Sequence, residues 1–221
     1  ALYPAYKANR EPAPPELKRQ FEYCRELAAA LGLAVLADAT YEADDLIGSV
    51  QHALRAHGFR TVIVSADKDF GQLLATHDEQ WDYARNLRWG ADGVLAKLGV
   101  HAHQVVDFLA LTGDAVDNIP GVPGVGPRSA AALLAHFGSL DALLARIHEV
   151  PYLRIRGAAA LAAKLQAHSA EALLSRQLAV IALDAPVPRT PEALGLRTPD
   201  MQKLDGLFER VRIGPATRAR V

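Results

Sequence analysis

Apolar positions recur at helical spacing from Glu16 to Leu31, where Leu17, Phe21, Cys24, Leu27, Ala28 and Leu31 form one stripe and Gly32 supplies a stop. The pattern then changes period. Leu33 to Ala37 is a short continuous apolar run that reads as a buried strand, and Thr40 is placed to cap a helix from about Glu42 to His57, ended by Gly58. Thr61 to Ala66 is rich in β-branched residues and reads as a parallel strand. Strand, helix and strand in that order predict a right-handed crossover of an open parallel sheet, whose ligand chemistry belongs at the carboxyl ends of the strands. Phe70 to Thr76 reads as a short helix and Gln80 to Ala84 as a further strand.

Beyond Gly90 the strand signal fades. Helical patterns cover Asp92 to Leu98, His103 to Leu111, Pro127 to Phe137, Leu140 to Ile147, Ala158 to Leu165 and Ala170 to Ile181. Ala185 to Asp200 holds four prolines and reads as an irregular connection to a last helix around Met201 to Val211. The opening residues, with Pro4, Pro12, Pro14 and Pro15, show no apolar period. The expected organisation is an α/β lobe over 1–90, a helical lobe over 91–184, and a connection with a carboxy-terminal helix over 185–221.

Composition adds limits. The chain has 221 residues, half of them hydrophobic, which suffices for one sizeable core with a helical appendage. The longest nearly uncharged apolar stretch, Leu27 to Ala37, is too short to cross a bilayer, and no secretory signal opens the sequence. A cytoplasmic monomer with no membrane partner is therefore expected. The single cysteine, Cys24, excludes an internal disulfide and a thiolate metal site, and reads as a buried apolar thiol on the first helix.

Charge changes the picture most. Glu42, Asp44 and Asp45 lie in YEADD, Asp67 and Asp69 in SADKD, and Asp114 and Asp117 in GDAVDN. The first group falls at the start of the crossover helix and the second directly after a strand, positions that share one rim of such a fold. Asp114 and Asp117, at i and i+3, can share one face of a helical turn. Two unit charges about 4 Å apart interact by about 4 kcal/mol at an effective dielectric of 20, so acids gathered there call for cations. Oxygen donors without a cysteine or a histidine set select a hard ion, magnesium or manganese, over zinc. His101 and His103 read as surface or capping residues, and Asp38, Asp92 and Asp107 as solvated or capping acids.

With the seven clustered carboxylates counted apart, the formal net charge of −1 becomes +6 for the rest of the chain. Lys7, Arg10, Lys18, Arg19 and Arg25 crowd the first segment, and Arg85, Arg88, Lys97, Arg128, Arg154, Arg156 and Lys164 follow, a distribution able to meet phosphates locally. GVPGVGPRSAAALLAHFG, from 121 to 138, joins a glycine-rich turn to a helix opened by Pro127. Gly121, Gly124 and Gly126 permit positive φ and close backbone approach, and the open amides at the helix start favour a phosphate. Without the lysine and threonine of a P-loop, the turn does not suit ATP.

Taken together, YKANR, YEADD, SADKDFGQLL, LTGDAVDNIPGVPGVGPRSAA and FGSLDALL closely resemble the bacterial 5′–3′ exonuclease and flap endonuclease family, the kind that also forms the amino-terminal domain of DNA polymerase I. The resemblance covers nearly the whole chain and weakens after about residue 185. It implies a PIN-like α/β nuclease lobe and a helix-three-turn-helix (helix-hairpin-helix) lobe that grips duplex DNA. It also implies that Glu42, Asp44, Asp45, Asp67, Asp69, Asp114 and Asp117 hold two or more divalent ions, directly or through water. Lys7 and Arg10 map onto the arch residues that approach the scissile phosphate. Gly121, Val122, Gly124, Val125, Gly126, Arg128 and Ser129 map onto the turn that holds duplex phosphates, where relatives can also bind potassium. Arg128 stands where relatives usually carry lysine, and either meets a phosphate.

The family places two further aspartates on strands upstream of YKANR, and this sequence begins at that segment, so it is expected to be incomplete at its amino end. No polymerase motif follows Val221, which favours a free-standing nuclease over a polymerase fragment. The expected activity is cleavage of DNA at 5′ ends, flaps or branches by a two-divalent-metal mechanism. The competing readings are a branched-DNA binding protein of the same fold that does not cut, and a PIN-type ribonuclease, which needs no duplex-gripping turn.

Overall fold

In the computed structural model, which describes residues 3–219, helix α1 spans Pro15–Ala30 and α2 spans Ala43–Arg55. Strand β1 (Val62–Val64) leads through a 3-10 helix, Lys68–Leu73, to β2 (Glu79–Asp82) and β3 (Leu87–Trp89). Then come α3 (Ala91–Leu98), α4 (Val105–Thr112), α5 (Pro127–Phe137), α6 (Leu140–Ala145), α7 (Ala158–Ala167) and α8 (Ser169–Ala179). The chain closes with the short α9 (Pro191–Leu194), α10 (Met201–Arg210) and the short α11 (Pro215–Arg218). No single helix among the described residues is long and apolar enough to cross a membrane.

These elements fall into two compact units, and neither is one continuous run. One joins the segment ending at Arg10 to Arg60–Ile181, and the other joins Glu11–Phe59 to Ala182–Val221. Compactness thus divides the chain differently from the boundaries near 90 and 184 that periodicity suggests.

The larger unit carries the sheet, in the order β1-β2-β3. β1 and β2 are parallel, with Ile63 opposite Gln80, and β2 and β3 are antiparallel, with Gln80 opposite Trp89. The sheet is therefore mixed, and β3 is an element that periodicity does not announce. Its hairpin turn is closed by Asn86 at φ +51, without the glycine that usually marks such a turn. The buried carboxylate of Asp78 accepts from the N–H groups of Thr61 and Ala75, both at 3.0 Å, and so ties the entry of β1 to the loop before β2. The short helix begins at Lys68 rather than Phe70 because Asp67 caps it, accepting from the Asp69 N–H.

The core of this unit runs from Ile63, Phe70 and Leu73 through α4 to Leu133, Leu134, Leu140, Leu143 and Leu165. α4 is its axis: Val105, Phe108, Leu109, Ala110 and Leu111 are all buried, and it packs on α5 and α8. Gln72 fastens the end of α8 to the 3-10 helix, donating to the Ala179 carbonyl and accepting from the Ile181 N–H, both at 3.0 Å.

In the other unit, Leu27, Ala30 and Leu31 of α1 pack against Leu204, Phe208 and Ile213 around α10. Only that end of the apolar stripe of α1 is covered. Leu17 and Phe21 are exposed, and so is Cys24, which corrects the buried thiol expected from its spacing. α2 is capped by Glu42 and not by Thr40, because the Asp45 carboxylate reaches back to the Glu42 N–H at 3.1 Å. Asp38 takes the Thr40 and Tyr41 amides instead. Leu33 to Ala37 forms no strand among the described residues, with Leu33 half exposed. A strand exists only through its ladder partners, and an apolar run cannot supply them by itself. The strand, helix and strand crossover expected between residues 33 and 66 is corrected accordingly: the parallel pair is β1 with β2.

Candidate metal and nucleic-acid site

The end of β1 turns sharply into the Lys68–Leu73 helix, and its polar groups are bonded inward. The Asp67 N–H donates to Ser65 Oγ at 3.1 Å, and the Asp69 N–H donates to Asp67 Oδ1 at 3.0 Å. Asp67 and Asp69 therefore leave the chain from a backbone with little freedom.

The second acidic stretch is a small closed loop, not the helical turn that i, i+3 spacing suggests. Asp114 and Ile119 form an antiparallel bridge, N–H to O at 2.9 and 2.8 Å, and Asn118 takes φ +56. Asp114 Oδ1 accepts from the Val116 N–H at 2.8 Å, and Lys68 Nζ sits directly on Asp114 Oδ2. Lys68, the residue between the two acids of DKD, is a site residue that the motif reading passes over.

The first segment docks on this loop. The Lys7 N–H donates to the Asp117 carbonyl at 2.9 Å, and Lys7 Nζ stands 3.6 Å from Asp117 Oδ2. Arg10 pairs with Asp117 Oδ1. Two asparagines clamp the contact: Asn9 Nδ2 donates to the Ala115 carbonyl at 2.8 Å, and Asn118 Nδ2 donates to the Ala5 carbonyl at 2.6 Å. The structure thus joins Lys7, Arg10, Asp67, Asp69, Asp114 and Asp117 in one unit. Residues 4–9 form turns.

The acids act on one another. Burial raises the Asp69 carboxyl, Lys68 opposes the rise, and Asp67, Asp114 and Asp117 add to it, leaving its pKa at about 7. Burial also pushes Asp114 up, but the Lys68 bond and the Val116 amide outweigh it and hold the carboxyl below its usual range. For Lys68, burial works against the ammonium, and the bond to Asp114 with the attraction of the surrounding acids raises its pKa regardless. Asp69 Oδ1 is buried and accepts no hydrogen bond; the Lys68 ammonium stands 3.7 Å away. Among the described residues no three His, Cys, Asp or Glu side chains already form a cage, because Lys68, Lys7 and Arg10 stand among these acids. The donor set is nonetheless all carboxylate, and the orphaned buried Oδ1 of Asp69 fits a hard divalent cation.

Glu42, Asp44 and Asp45 belong to the other unit. There Asp45 is engaged at both oxygens, Oδ2 with the Glu42 N–H and Oδ1 with the Ala182 N–H at 2.8 Å, so it holds the start of α2 to the segment after residue 181.

The turn from 121 to 126 is narrower in its chemistry than its sequence suggests. The Gly121 N–H donates to the buried Ser175 Oγ at 2.9 Å, the Val122 N–H to the Leu111 carbonyl at 2.9 Å, and the Val125 N–H to the Val122 carbonyl at 3.0 Å. Val122 and Val125 are core residues. These three amides are spent on the fold, which corrects their assignment as phosphate donors. The N–H groups of Gly124, Gly126, Arg128 and Ser129 have no acceptor among the described residues and lie along the start of α5. Gly121 and Gly124 take positive φ, but Gly126, at φ −91, is an extended N-cap and needs no glycine conformation. A Cβ on Gly121 would meet Gly113 N at 2.3 Å, so two backbones cross there without room for a side chain. A Cβ on Gly124 would meet Lys164 Nζ at 2.3 Å: α7 lays an ammonium over the turn, far from it in sequence.

Comparison with known proteins places the fold in a class. The T5 5′-exonuclease with divalent metal ions (zinc) bound aligns with TM-score 0.68 at 21% identity, covering 95% of this chain and 77% of that one. The catalytic core of Rad2 in complex with DNA substrate aligns with TM-score 0.60 at 16% identity, covering 92% and 66%. These likenesses define a PIN-like α/β fold. Two family models, the 5′-3′ exonuclease N-terminal resolvase-like domain and the 5′-3′ exonuclease C-terminal SAM fold, match residues 1–99 and 100–202.

The chain belongs to the 5′–3′ exonuclease family. It is 37% identical over 217 residues to DNA polymerase I of Rhizobium leguminosarum and 40% identical over 211 residues to DNA polymerase I of Pseudomonas aeruginosa. Those matches cover 98% and 95% of this chain but only 21% and 23% of the relatives, so the chain spans between a fifth and a quarter of their length.

Proposed function

We propose that this protein hydrolyses DNA phosphodiesters at 5′ ends, flaps or branches, as a cytoplasmic monomer dependent on magnesium or manganese. The observation that carries the proposal is the meeting, in one unit, of four carboxylates from two distant stretches with Lys7 and Arg10. Asp67, Asp69, Asp114 and Asp117 would hold the ions. On the sequence resemblance alone, Glu42, Asp44 and Asp45 are proposed as further ligands. Bound divalent ions supply charge neutralisation and an activated water.

The remaining work falls to the chain. Lys7 and Arg10 stand at Asp117 in a segment clamped by Asn9 and Asn118, which supports a role in which their charges would meet the negative charge that develops on a phosphate. Gly124, Gly126, Arg128 and Ser129, with Lys164 above them, would take duplex phosphates through backbone amides and ammonium, positioning without reading sequence. Potassium at the 121–126 turn is proposed on the resemblance.

The test is cleavage of 5′-flap DNA, blunt duplex DNA and single-stranded RNA, each with and without magnesium, by the protein and by Asp67→Ala. Magnesium-dependent cleavage of flap DNA that vanishes in a folded Asp67→Ala supports the proposal. Full activity in that variant would refute the ligand assignment. Flap binding without cleavage would establish the non-catalytic DNA binder instead, and preference for RNA would establish a ribonuclease.

A further inference from the structure

Gln80 is the one polar side chain of β2 that is wholly inaccessible to solvent, at 0% exposure, in the middle strand of the sheet. Such a position normally takes a β-branched or aromatic residue, and an amide there loses its hydration unless the fold returns hydrogen bonds. Here both N–H bonds go to one place, while the buried Oε1 accepts none among the described residues. Gln80 Nε2 donates to the Ser65 carbonyl at 3.0 Å and to the Asp67 carbonyl. Those carbonyls flank Ala66 at the end of β1, in the turn from which Asp67 and Asp69 project. The same turn is held on its other side by Ser65 Oγ and Asp67 Oδ1, which accept from the Asp67 and Asp69 amides. The backbone of β2 also reaches this turn, where the Ser65 N–H donates to the Trp81 carbonyl at 3.0 Å, but among the described residues Gln80 is the only side chain of a neighbouring strand that does.

Resting on the metal reading of Asp67 and Asp69, we propose that Gln80 is a positioning residue of the metal site. It fixes the peptide between Ser65 and Asp67, and so fixes the directions in which the two carboxylates leave the chain. It touches neither ion nor substrate. Partners that orient metal ligands from outside commonly govern metal affinity by about 10–100-fold. A purely structural Gln80 would govern stability alone, so the two roles separate in measurement.

The experiment compares the protein with Gln80→Met, which keeps the length and loses both donors, and Gln80→Asn, which keeps an amide that falls short of the two carbonyls. Folding is checked by circular dichroism, and Mn2+ binding is measured from the free-ion electron paramagnetic resonance signal. Rates are then followed against magnesium and against flap DNA. Gln80→Met is expected to bind Mn2+ about 10–100-fold more weakly, to recover most of its rate at high magnesium, and to keep the KM for DNA. Gln80→Asn is expected to fall between, and it decides the question if Gln80→Met does not fold. Lowered stability with unchanged Mn2+ affinity in the folded variant would overturn the positioning role. Asp67→Ala is measured alongside. If it too leaves Mn2+ binding unchanged, the metal reading itself fails and takes the Gln80 role with it. A loss in Asp67→Ala with none in Gln80→Met or Gln80→Asn removes Gln80 alone.

Discussion

Holding Asp69 ionised among three other carboxylates opposes folding, and the size of that opposition follows from its titration. The folded-state pKa is about 7, against the ordinary 3.8, a rise of about 3 units. Each unit corresponds to about 1.4 kcal/mol, so the ionised carboxylate costs the metal-free fold about 4 kcal/mol. The sign fixes the pH window. Because the folded pKa lies above the unfolded one, the folded state binds the proton more tightly, and the penalty is absent below about pH 4. It grows as the pH rises and is complete above about pH 7.

Asp69→Asn removes the charge and keeps the shape. At pH 8 with chelator the variant is expected to be more stable than the parent by about 1–4 kcal/mol, the lower figure allowing for the desolvated amide and the lost attraction of Lys68. At pH 4 the difference should shrink towards zero, since the parent is then protonated when folded and close to its midpoint when unfolded, so little of the penalty remains. Urea unfolding at both pH values, with midpoints and slopes fitted together, reads the difference. Added magnesium should reverse the order at pH 8, because only a state that binds the ion gains stability from it. A variant no more stable than the parent at pH 8 in chelator, or a gain that is the same at pH 4, would refute the reasoning.

Three further outcomes follow. On the proposed function, in which its ammonium meets charge that develops during reaction, Lys7→Ala should slow cleavage by about 10²–10³ with little change in flap Kd; a loss confined to Kd would move Lys7 from chemistry to positioning. Lys164→Ala should weaken duplex binding and lower the slope of log K against log salt by about 0.9, and an unaltered slope would take Lys164 out of the phosphate grip. Ser175→Ala leaves the Gly121 N–H buried and unpaired, which should cost about 1–3 kcal/mol in urea unfolding, and no loss would show that the turn does not depend on that bond.

How much of this was legible in the sequence depended on whether the cause was local. α5 was readable at both ends, because Pro127 suits a first helical position and Gly138 a stop. The run Leu33–Ala37 looked equally clear and is no strand, since pairing is settled by residues elsewhere. The acids at the end of β1 and in the 114–118 loop were found from motif and strand-end position. Lys68 was missed while standing inside one of those motifs, because attention to like charges passes over the cation that separates them. Val122 and Val125 were read as part of a phosphate turn, although their own apolar character pointed to the core where they lie. Lys164 was legible only as one basic residue among many; its place over Gly124 comes from the packing of α7.

The larger unit also explains why acid loop and glycine turn are placed so close together in sequence. α4 ends at Thr112, and the Asp114–Ile119 bridge closes the acidic loop immediately after it. The chain then crosses its own path where Gly121 meets Gly113, and the Val122 N–H returns to the Leu111 carbonyl before α5 begins. Loop and turn are therefore two outgrowths of one crossing at the end of a buried helix, with backbone bonds on both sides of it. Asp114 and the open amides at the start of α5 are joined through that bonded crossing. A duplex held by those amides would lie at a fixed span from the acids, so the place of cleavage would be set by the crossing at Gly113 and Gly121 and not by the sequence of the DNA.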